Sequence, residues 1–474
     1  MTRRFFIGGM AASLGMLAGS KMFAQAGATG AGGHRMRLGV ISDVHLNRPG
    51  DEDMFLRALE YFRDRGADGV LIAGDFADTG RYEQIKRLAD TWFKVFPNDK
   101  APDGRHVERL FVYGNHCVTA WTWGNPYKDK EDLARKEAIG YKDNRARFWD
   151  ELFHEEFQPI WMKTVKGIPV IGAHWEERGA GNGIEAYMKA NGAKLDPKVP
   201  FVYTQHDHPW HTCFGEWAWG HDDGRATRAL SPFPKAVAFS GHSHYTLVDD
   251  RTVWQGAFTS VNTASLRYPS ADYSLRENIH GNGFGYKGEK RAKRMPQIGP
   301  RASQGQLVSF WDDLLAIERR DFFYGESLGP DWVVPLPASE SSPFAYARHA
   351  AMRTAPEFDA GAKPTVTVSK PKNEKDFTHV DVRFPAAKAK DAACRVCEYE
   401  VTAVLVEDDV DLIQAQRRMM SPDHCLPVSK LVKDVTFTFA AEDLPMKGHY
   451  RFEVRALECF GKKGGKIASD QVVI

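Results

Sequence analysis

Along the first two thirds of the chain, short continuous apolar runs alternate with stretches whose apolar positions recur every three or four residues. The runs predict strands at 36–45, 68–75, 109–116, 169–173, 199–205, 236–240 and 253–257, and a hairpin from 306–312 and 314–320. The helical spacing predicts a helix over 51–65, through Met54, Phe55, Ala58, Leu59 and Phe62, and a second over 80–96, through Tyr82, Ile85, Leu88, Ala89 and Trp92. One or two more helices are predicted within 131–158, and a long polar, Gly- and Arg-rich loop over 268–303. Buried strands between helices predict an α/β layered domain over 36–340, with central β-sheets flanked by helices. Beyond a Ser- and Pro-containing linker at 341–360 the pattern changes. Runs at 365–368, 379–384, 399–406, 435–439 and 450–456 alternate like half-buried antiparallel strands, which predicts an all-β sandwich over 361–474.

The first 26 residues stand apart. Arg3 and Arg4 precede Phe5, Phe6 and Ile7, an acid-free Gly- and Ala-rich run follows over 8–19, and Ala24-Gln25-Ala26 is a small-x-small step. This resembles a bacterial twin-arginine signal peptide, which implies the twin-arginine export machinery as a partner, cleavage near Ala26 and a periplasmic mature protein. Residues 27–35 then form a flexible leader, and no remaining stretch predicts a stable membrane span. The composition, 43% hydrophobic and 26% charged, is that of an ordinary globular protein. The formal net charge of +1, less the three positive charges of Arg3, Arg4 and Lys21, leaves −2 on the mature chain. That is too little positive charge for long nucleic acid, which is bound through many Lys and Arg side chains. In an oxidising compartment Cys394, Cys397, Cys425 and Cys459 predict one or two disulfides. A zinc site fits them poorly, because one Cys-x-x-Cys with two isolated cysteines lacks the usual paired spacing.

The chemistry gathers at strand ends. The first strand ends Asp43-Val44-His45, the second Gly74-Asp75-Phe76-Ala77-Asp78 and the third Gly114-Asn115-His116; later ones run into His206-Asp207-His208-Pro209 and Gly241-His242-Ser243-His244. Singly, each is an ordinary turn or cap. Together they put hard oxygen and borderline nitrogen donors outside the carboxyl ends of one α/β sheet system, where such folds bind ligands, and the mixture suits divalent metal.

In type and order these motifs resemble the calcineurin-like metallophosphoesterase family over 36–325. The resemblance implies two metal ions, Fe, Mn or Zn, one held by Asp43, His45, Asp75 and His244, the other by the shared Asp75 with Asn115, His206 and His242. It also implies hydrolysis of a small phosphate monoester or diester by a metal-bridging hydroxide. His116 would be the catalytic residue, stabilising the phosphoryl oxygens or protonating the leaving group, and Asn115 would also face substrate. His206 and His208 compete for the lone-histidine role. His206 is preferred because it directly follows its strand, which leaves His208 to a substrate contact or the turn. A catalytically silent scaffold on the same fold is the alternative reading, and a nuclease a third.

The chain departs from the family at two positions. Cys117 stands where the family often has an acid, and is read as packing beside the centre. Asp78 stands where purple acid phosphatases carry a tyrosine, so no iron–tyrosinate colour is expected. His174 is read as a core histidine. Trp121, Trp123, Trp175, Trp210, Trp217 and Trp219 are read as aromatic loop packing. The end of the chain, Tyr450-x-Phe452-x-Val454-x-Ala456 followed by Gly461 and Ser469, resembles the last strands of a fibronectin type III-like sandwich.

Overall fold

The computed structural model describes residues 33–122, 145–175, 183–215, 218–267, 269, 302–369, 379–391, 394–408 and 410–474. The expected signal peptide and most of its leader, nearly all of the expected 268–303 loop and the start of the 131–158 helical stretch lie outside the described residues.

Two sheets form the centre. The first joins β1 (Met36–Ile41), β2 (Gly69–Ala73) and β3 (Glu108–Val112), all parallel, to β10 (Gln304–Phe310), β11 (Leu314–Asp321), β12 (Glu326–Ser327) and β13 (Trp332–Pro335). Its order is β12-β11-β10-β1-β2-β3, with β13 also on β11. The expected 306–320 hairpin is the antiparallel β10–β11 pair. The second sheet runs in the order β4 (Ile160–Val165), β5 (Ile168–Ala173), β6 (Phe201–Thr204), β7 (Ala236–Ser240), β9 (Thr259–Asn262) and β8 (Val253–Gln255). Strands β5, β6, β7 and β9 are parallel.

Their apolar inner faces meet in one core, with Leu38, Val40, Leu71 and Val112 against Val170, Val202, Val237 and Phe239. This explains why these strands read as continuous apolar runs: both faces are covered. Helices α1 (Asp53–Asp64), α2 (Tyr82–Val95) and α4 (Arg145–Phe153) cover the outer face of the first sheet. Helix α1 buries Phe55, Ala58, Leu59 and Phe62, a single stripe at helical spacing. Helices α5 (Ile184–Asn191) and α6 (Arg225–Leu230) cover the second sheet. The short helix α3 (Asn115–Thr122) leaves β3 at the site itself.

The C-terminal part is all-β. One sheet contains β14 (Thr365–Ser369), β15 (His379–Pro385) and β18 (Asp434–Ala440); the other is β17 (Val410–Met420), β16 (Glu398–Glu407), β19 (His449–Leu457) and β20 (Ile467–Ala468), with β21 (Val472–Val473) also on β19. Val382, Phe384, Val401, Phe437 and Phe452 belong to the core they share. Tyr450 Oη donates to Met446 O at 2.7 Å, tying the start of β19 to the turn before it.

Two expectations change. The stretch expected to be a linker carries helix α7 (Tyr346–Met352), and the buried Arg353 beside it pairs with the buried Asp250 at 2.6 Å. A buried ion pair anchors this segment to the layered part, because an unpaired charge there would be costly. The four C-terminal cysteines form no disulfide with one another, and all are buried. Cys397 Sγ lies against His424 Nε2 at 3.7 Å rather than against another sulfur.

Candidate metal centre

The strand-end residues converge between the two central sheets. Five of them hold positive φ: Asp43 (53°), His45 (45°), Asp75 (51°), His242 (67°) and His244 (58°). Left-handed backbone is uncommon outside glycine, and such strain concentrates at functional sites. Glycines make the approach possible. A Cβ on Gly74 would lie 2.2 Å from His206 Nδ1, one on Gly114 2.3 Å from Asp75 Oδ1, and one on Gly241 2.4 Å from Asp43 Oδ2.

The donors fall into two main groups, Asp43 with His45 and His244, and Asp75 with His206 and His242, and His45 also groups with Asp78 and His116 at the rim. In the first, His244 Nε2 is 2.9 Å from Asp43 Oδ1, and His45 Nε2 is 3.2 Å from His244 Nε2 and 3.6 Å from Asp43 Oδ1. In the second, His206 Nε2 is 3.0 Å from Asp75 Oδ2 and 3.2 Å from His242 Nδ1. Asp75 Oδ2 also lies 3.6 Å from His45 Nε2, which places this carboxylate between the groups. Asn115, buried, begins α3 beside Asp75, and the amide of His116 donates to Asp75 Oδ1 at 2.8 Å.

The outer ring nitrogens select the tautomers. His45 Nδ1 faces Asp78 Oδ1 at 3.3 Å and His206 Nδ1 faces Ala73 O at 2.7 Å. Both partners accept only, so Nδ1 carries the hydrogen and each Nε2 lone pair points inward, the usual support of a metal-binding imidazole.

The donor set fits metal ions. Asp43 Oδ1 and Asp75 Oδ2 are buried and make no well-aligned hydrogen bond, although imidazole nitrogens lie about 3 Å away. Lone pairs aimed at a common point, rather than at one another's hydrogens, are what ligands present to a cation. Burial disfavours charge here, yet His244 and His206 hold the Asp43 carboxyl well below the usual carboxylate range, and His206 lowers Asp75 likewise. Burial also opposes charge on the imidazoles, but Asp43 and Asp78 push His45 up to about 9, and Asp75 and Asp43 push His206 up to about 10. The carboxylates therefore draw positive charge into a buried space, and a divalent ion can replace those protons.

The remaining expected residues sort as follows. His116 Nδ1 donates to Asp78 O at 2.8 Å, and its ring lies 4.7 Å from that of His45. His208 is buried with Nδ1 on Ser240 Oγ and Nε2 on Ser243 Oγ, each at 2.7 Å, so the two hydroxyls occupy both nitrogens. It braces the loop that carries His242 and His244 and stands in neither donor group. The Cys117 sulfur accepts from the Phe76 amide at 3.1 Å, and burial with Asp75 nearby pushes the thiol up to about 12. A neutral thiol thus steadies the turn after Asp75. His174 accepts from the Tyr113 amide at 3.0 Å inside an aromatic cage, where burial pushes it down to about 3.

Asp78 and two tryptophans add what motif reading passed over. Asp78 touches His45 through its carboxylate and His116 through its carbonyl. Trp219 stacks on His242 with ring centroids 4.5 Å apart, and Trp175 lies 5.7 Å from the same ring. Trp210 is largely exposed, next to the His211 ring. Trp123 and the side chains of Trp121 and Trp217 lie outside the described residues.

Among solved structures, the chain is similar to a dimetal phosphatase from Danio rerio, with 11% identity, 63% of this chain and 98% of that chain covered, and a TM-score of 0.32. It is also similar to a Streptococcus pneumoniae protein described as a predicted phosphoesterase (13%, 63% and 97%, TM-score 0.26). A third is an inner-membrane-complex anchor of Plasmodium (10%, 67% and 95%, TM-score 0.34). No curated protein matches the sequence. Residues 36–246 match the family model described as Calcineurin-like phosphoesterase, and they contain every donor of both groups.

Proposed function

We propose that the protein is a metal-dependent hydrolase of a small phosphate monoester or diester. The observation that carries this reading is the pair of largely buried donor groups linked by Asp75, each with a carboxylate oxygen in no well-aligned hydrogen bond. Asp43, His45, Asp75 and His244 would hold one ion, and Asp75, Asn115, His206 and His242 the other. Two such ions supply Lewis acidity toward the phosphoryl oxygens and a water acidified for attack.

The chain's own groups supply the rest. The Asp78 carbonyl fixes the hydrogen of His116 on Nδ1, which leaves Nε2 to carry and deliver the proton to a departing oxygen. Asp78 and Ala73 keep the inward nitrogens of His45 and His206 unprotonated when metal is bound. Trp219 and Trp175 hold the His242 ring.

The near-neutral charge supports a small substrate over long nucleic acid. Arg3-Arg4 and the Ala24-Gln25-Ala26 step support twin-arginine export to the periplasm. Among the described residues no helix is long and apolar enough to cross a membrane. We divide the chain into a phosphoesterase domain over 36–340 and a fibronectin type III-like sandwich over 361–474; the Tyr450–Met446 bond, like the tyrosine corner of Ig-like sandwiches, supports the latter.

The test pairs metal quantification of the purified protein with hydrolysis of an aryl phosphate monoester and diester. Two metal ions at this centre, lost in Asp75→Asn, and turnover of one ester are expected. Protein that stays inert after reconstitution with Mn, Fe and Zn overturns the reading in favour of a silent scaffold.

A further inference from the structure

A second donor cluster lies away from the phosphoesterase centre, where the layered part meets the all-β part. Asp249 follows the His242–His244 loop; Cys397 immediately precedes β16; His424 sits in the turn Pro422–Cys425. All three are buried, and their donor atoms lie within 4.8 Å of one another. His424 Nε2 is 3.3 Å from Asp249 Oδ2 and 3.7 Å from Cys397 Sγ.

We propose that Asp249, Cys397 and His424 form a three-ligand zinc site that pins the all-β part to the loop carrying His242 and His244. The edge lengths argue for it. Tetrahedral zinc with bonds of ~2.3 Å to sulfur and ~2.0–2.1 Å to nitrogen and oxygen requires a sulfur–nitrogen edge of ~3.6 Å and a nitrogen–oxygen edge of ~3.3 Å. Both edges are present within about 0.1 Å. Thiolate, imidazole and carboxylate together favour zinc over the hard cations that take oxygen alone.

Hydrogen bonding accounts for the cluster less well. One nitrogen, His424 Nε2, faces both the carboxylate and the thiol, and when it donates its hydrogen to Asp249 it has no lone pair left to accept from Cys397. Asp249 is moreover already served, by Arg251 Nε at 2.9 Å and Nη2 at 2.5 Å. A cation between the three atoms satisfies all of them, and Arg251 then braces the carboxylate ligand from behind. The scaffold is also rigid. Ser421 N donates to Cys397 O at 2.8 Å and His424 N to Ser421 O at 3.0 Å, so the sulfur and the imidazole are tied together by backbone. Sequence spacing hides the site, because its ligands come from distant segments and only one is a cysteine.

Cobalt separates this site from the phosphoesterase centre, which contains no thiolate. Full-length protein loaded with Co(II) should show a sulfur-to-cobalt charge-transfer band in the near ultraviolet. Cys397→Ser should abolish that band and lower bound metal by one equivalent per chain. Asp75→Asn should keep the band, so the proposal stands or falls apart from the hydrolase reading. Absence of the band from folded wild type, or its survival in Cys397→Ser, overturns the proposal. Should Cys397→Ser fail to fold, X-ray absorption of zinc-loaded wild type decides. A sulfur scatterer at ~2.3 Å supports the site, and a shell of nitrogen and oxygen alone refutes it.

Discussion

His45 and Asp78 face each other across 3.3 Å, imidazole Nδ1 to carboxylate Oδ1, at the rim of the centre. Asn47 Nδ2 holds the other carboxylate oxygen at 3.1 Å, so the acid cannot swing away. A carboxylate behind a metal-binding imidazole fixes its orientation and raises its basicity, typically to the extent of 10–100-fold in metal affinity or activity. Asp78→Ala should therefore lose on the order of tenfold or more in metal affinity, read by chelator competition. Asp78→Asn, whose amide oxygen can still accept from Nδ1, should lose less. Equal losses in the two variants would refute the orienting role.

The His116 ring bonds the Asp78 carbonyl and stands outside both the Asp43–His45–His244 and the Asp75–His206–His242 groups. His116→Ala should keep both metal ions and lose roughly 10²–10⁴ in kcat, the usual worth of a positioned proton donor. Metal content and steady-state turnover measured on the same preparation check this. Unimpaired turnover with full metal would remove His116 from the chemistry.

The positions of the candidate donors were legible because each is a strand end, and strand periodicity with Gly-containing punctuation survives in a single sequence. Asp43, His45, Asp75, His206, His242 and His244 come together as their strand ends imply. The choice between His206 and His208 needed coordinates, since only the positions of the Ser240 and Ser243 hydroxyls show both nitrogens of His208 engaged. Asp78 could be read as a departure from one family branch, but its two contacts depend on how the turn after β2 folds back over β1. The docked 346–353 segment was hidden because its anchor, Asp250, lies a hundred residues earlier. The cysteines misled for a similar reason: compartment and clustering favour disulfides, whereas Cys397 finds a histidine and an acid.

Gly241 admits no side chain. An added Cβ would lie 1.9 Å from Ser42 Oγ and 2.4 Å from Asp43 Oδ2, while its amide bonds His206 O at 2.8 Å. Gly241→Ala must push Asp43 or the β7 end out of place by more than an ångström, and geometry of that order governs both ligation and rate. Near-native circular dichroism with at least tenfold lower activity and reduced bound metal is expected. Full activity would mean that the cradle is looser than these contacts show.

Asp321 closes β11, with its carboxylate accepting from the amides of Tyr324 at 3.0 Å and Ser303 at 3.3 Å. Burial outweighs those bonds and, with Glu326 adding repulsion, pushes its pKa up to about 6 from an ordinary 3.8. The folded protein thus holds this proton more tightly than the unfolded chain does. The group carries no penalty below its unfolded value. It costs stability progressively as pH rises from about 4 to about 6, in all ~3 kcal/mol for a shift of about two units. Asparagine does not ionise, so Asp321→Asn removes the pH-dependent part and leaves any packing cost constant. Urea unfolding of both proteins should show the variant gaining ~3 kcal/mol on the wild type between about pH 4 and about pH 8. A difference that does not change with pH would show that Asp321 titrates normally.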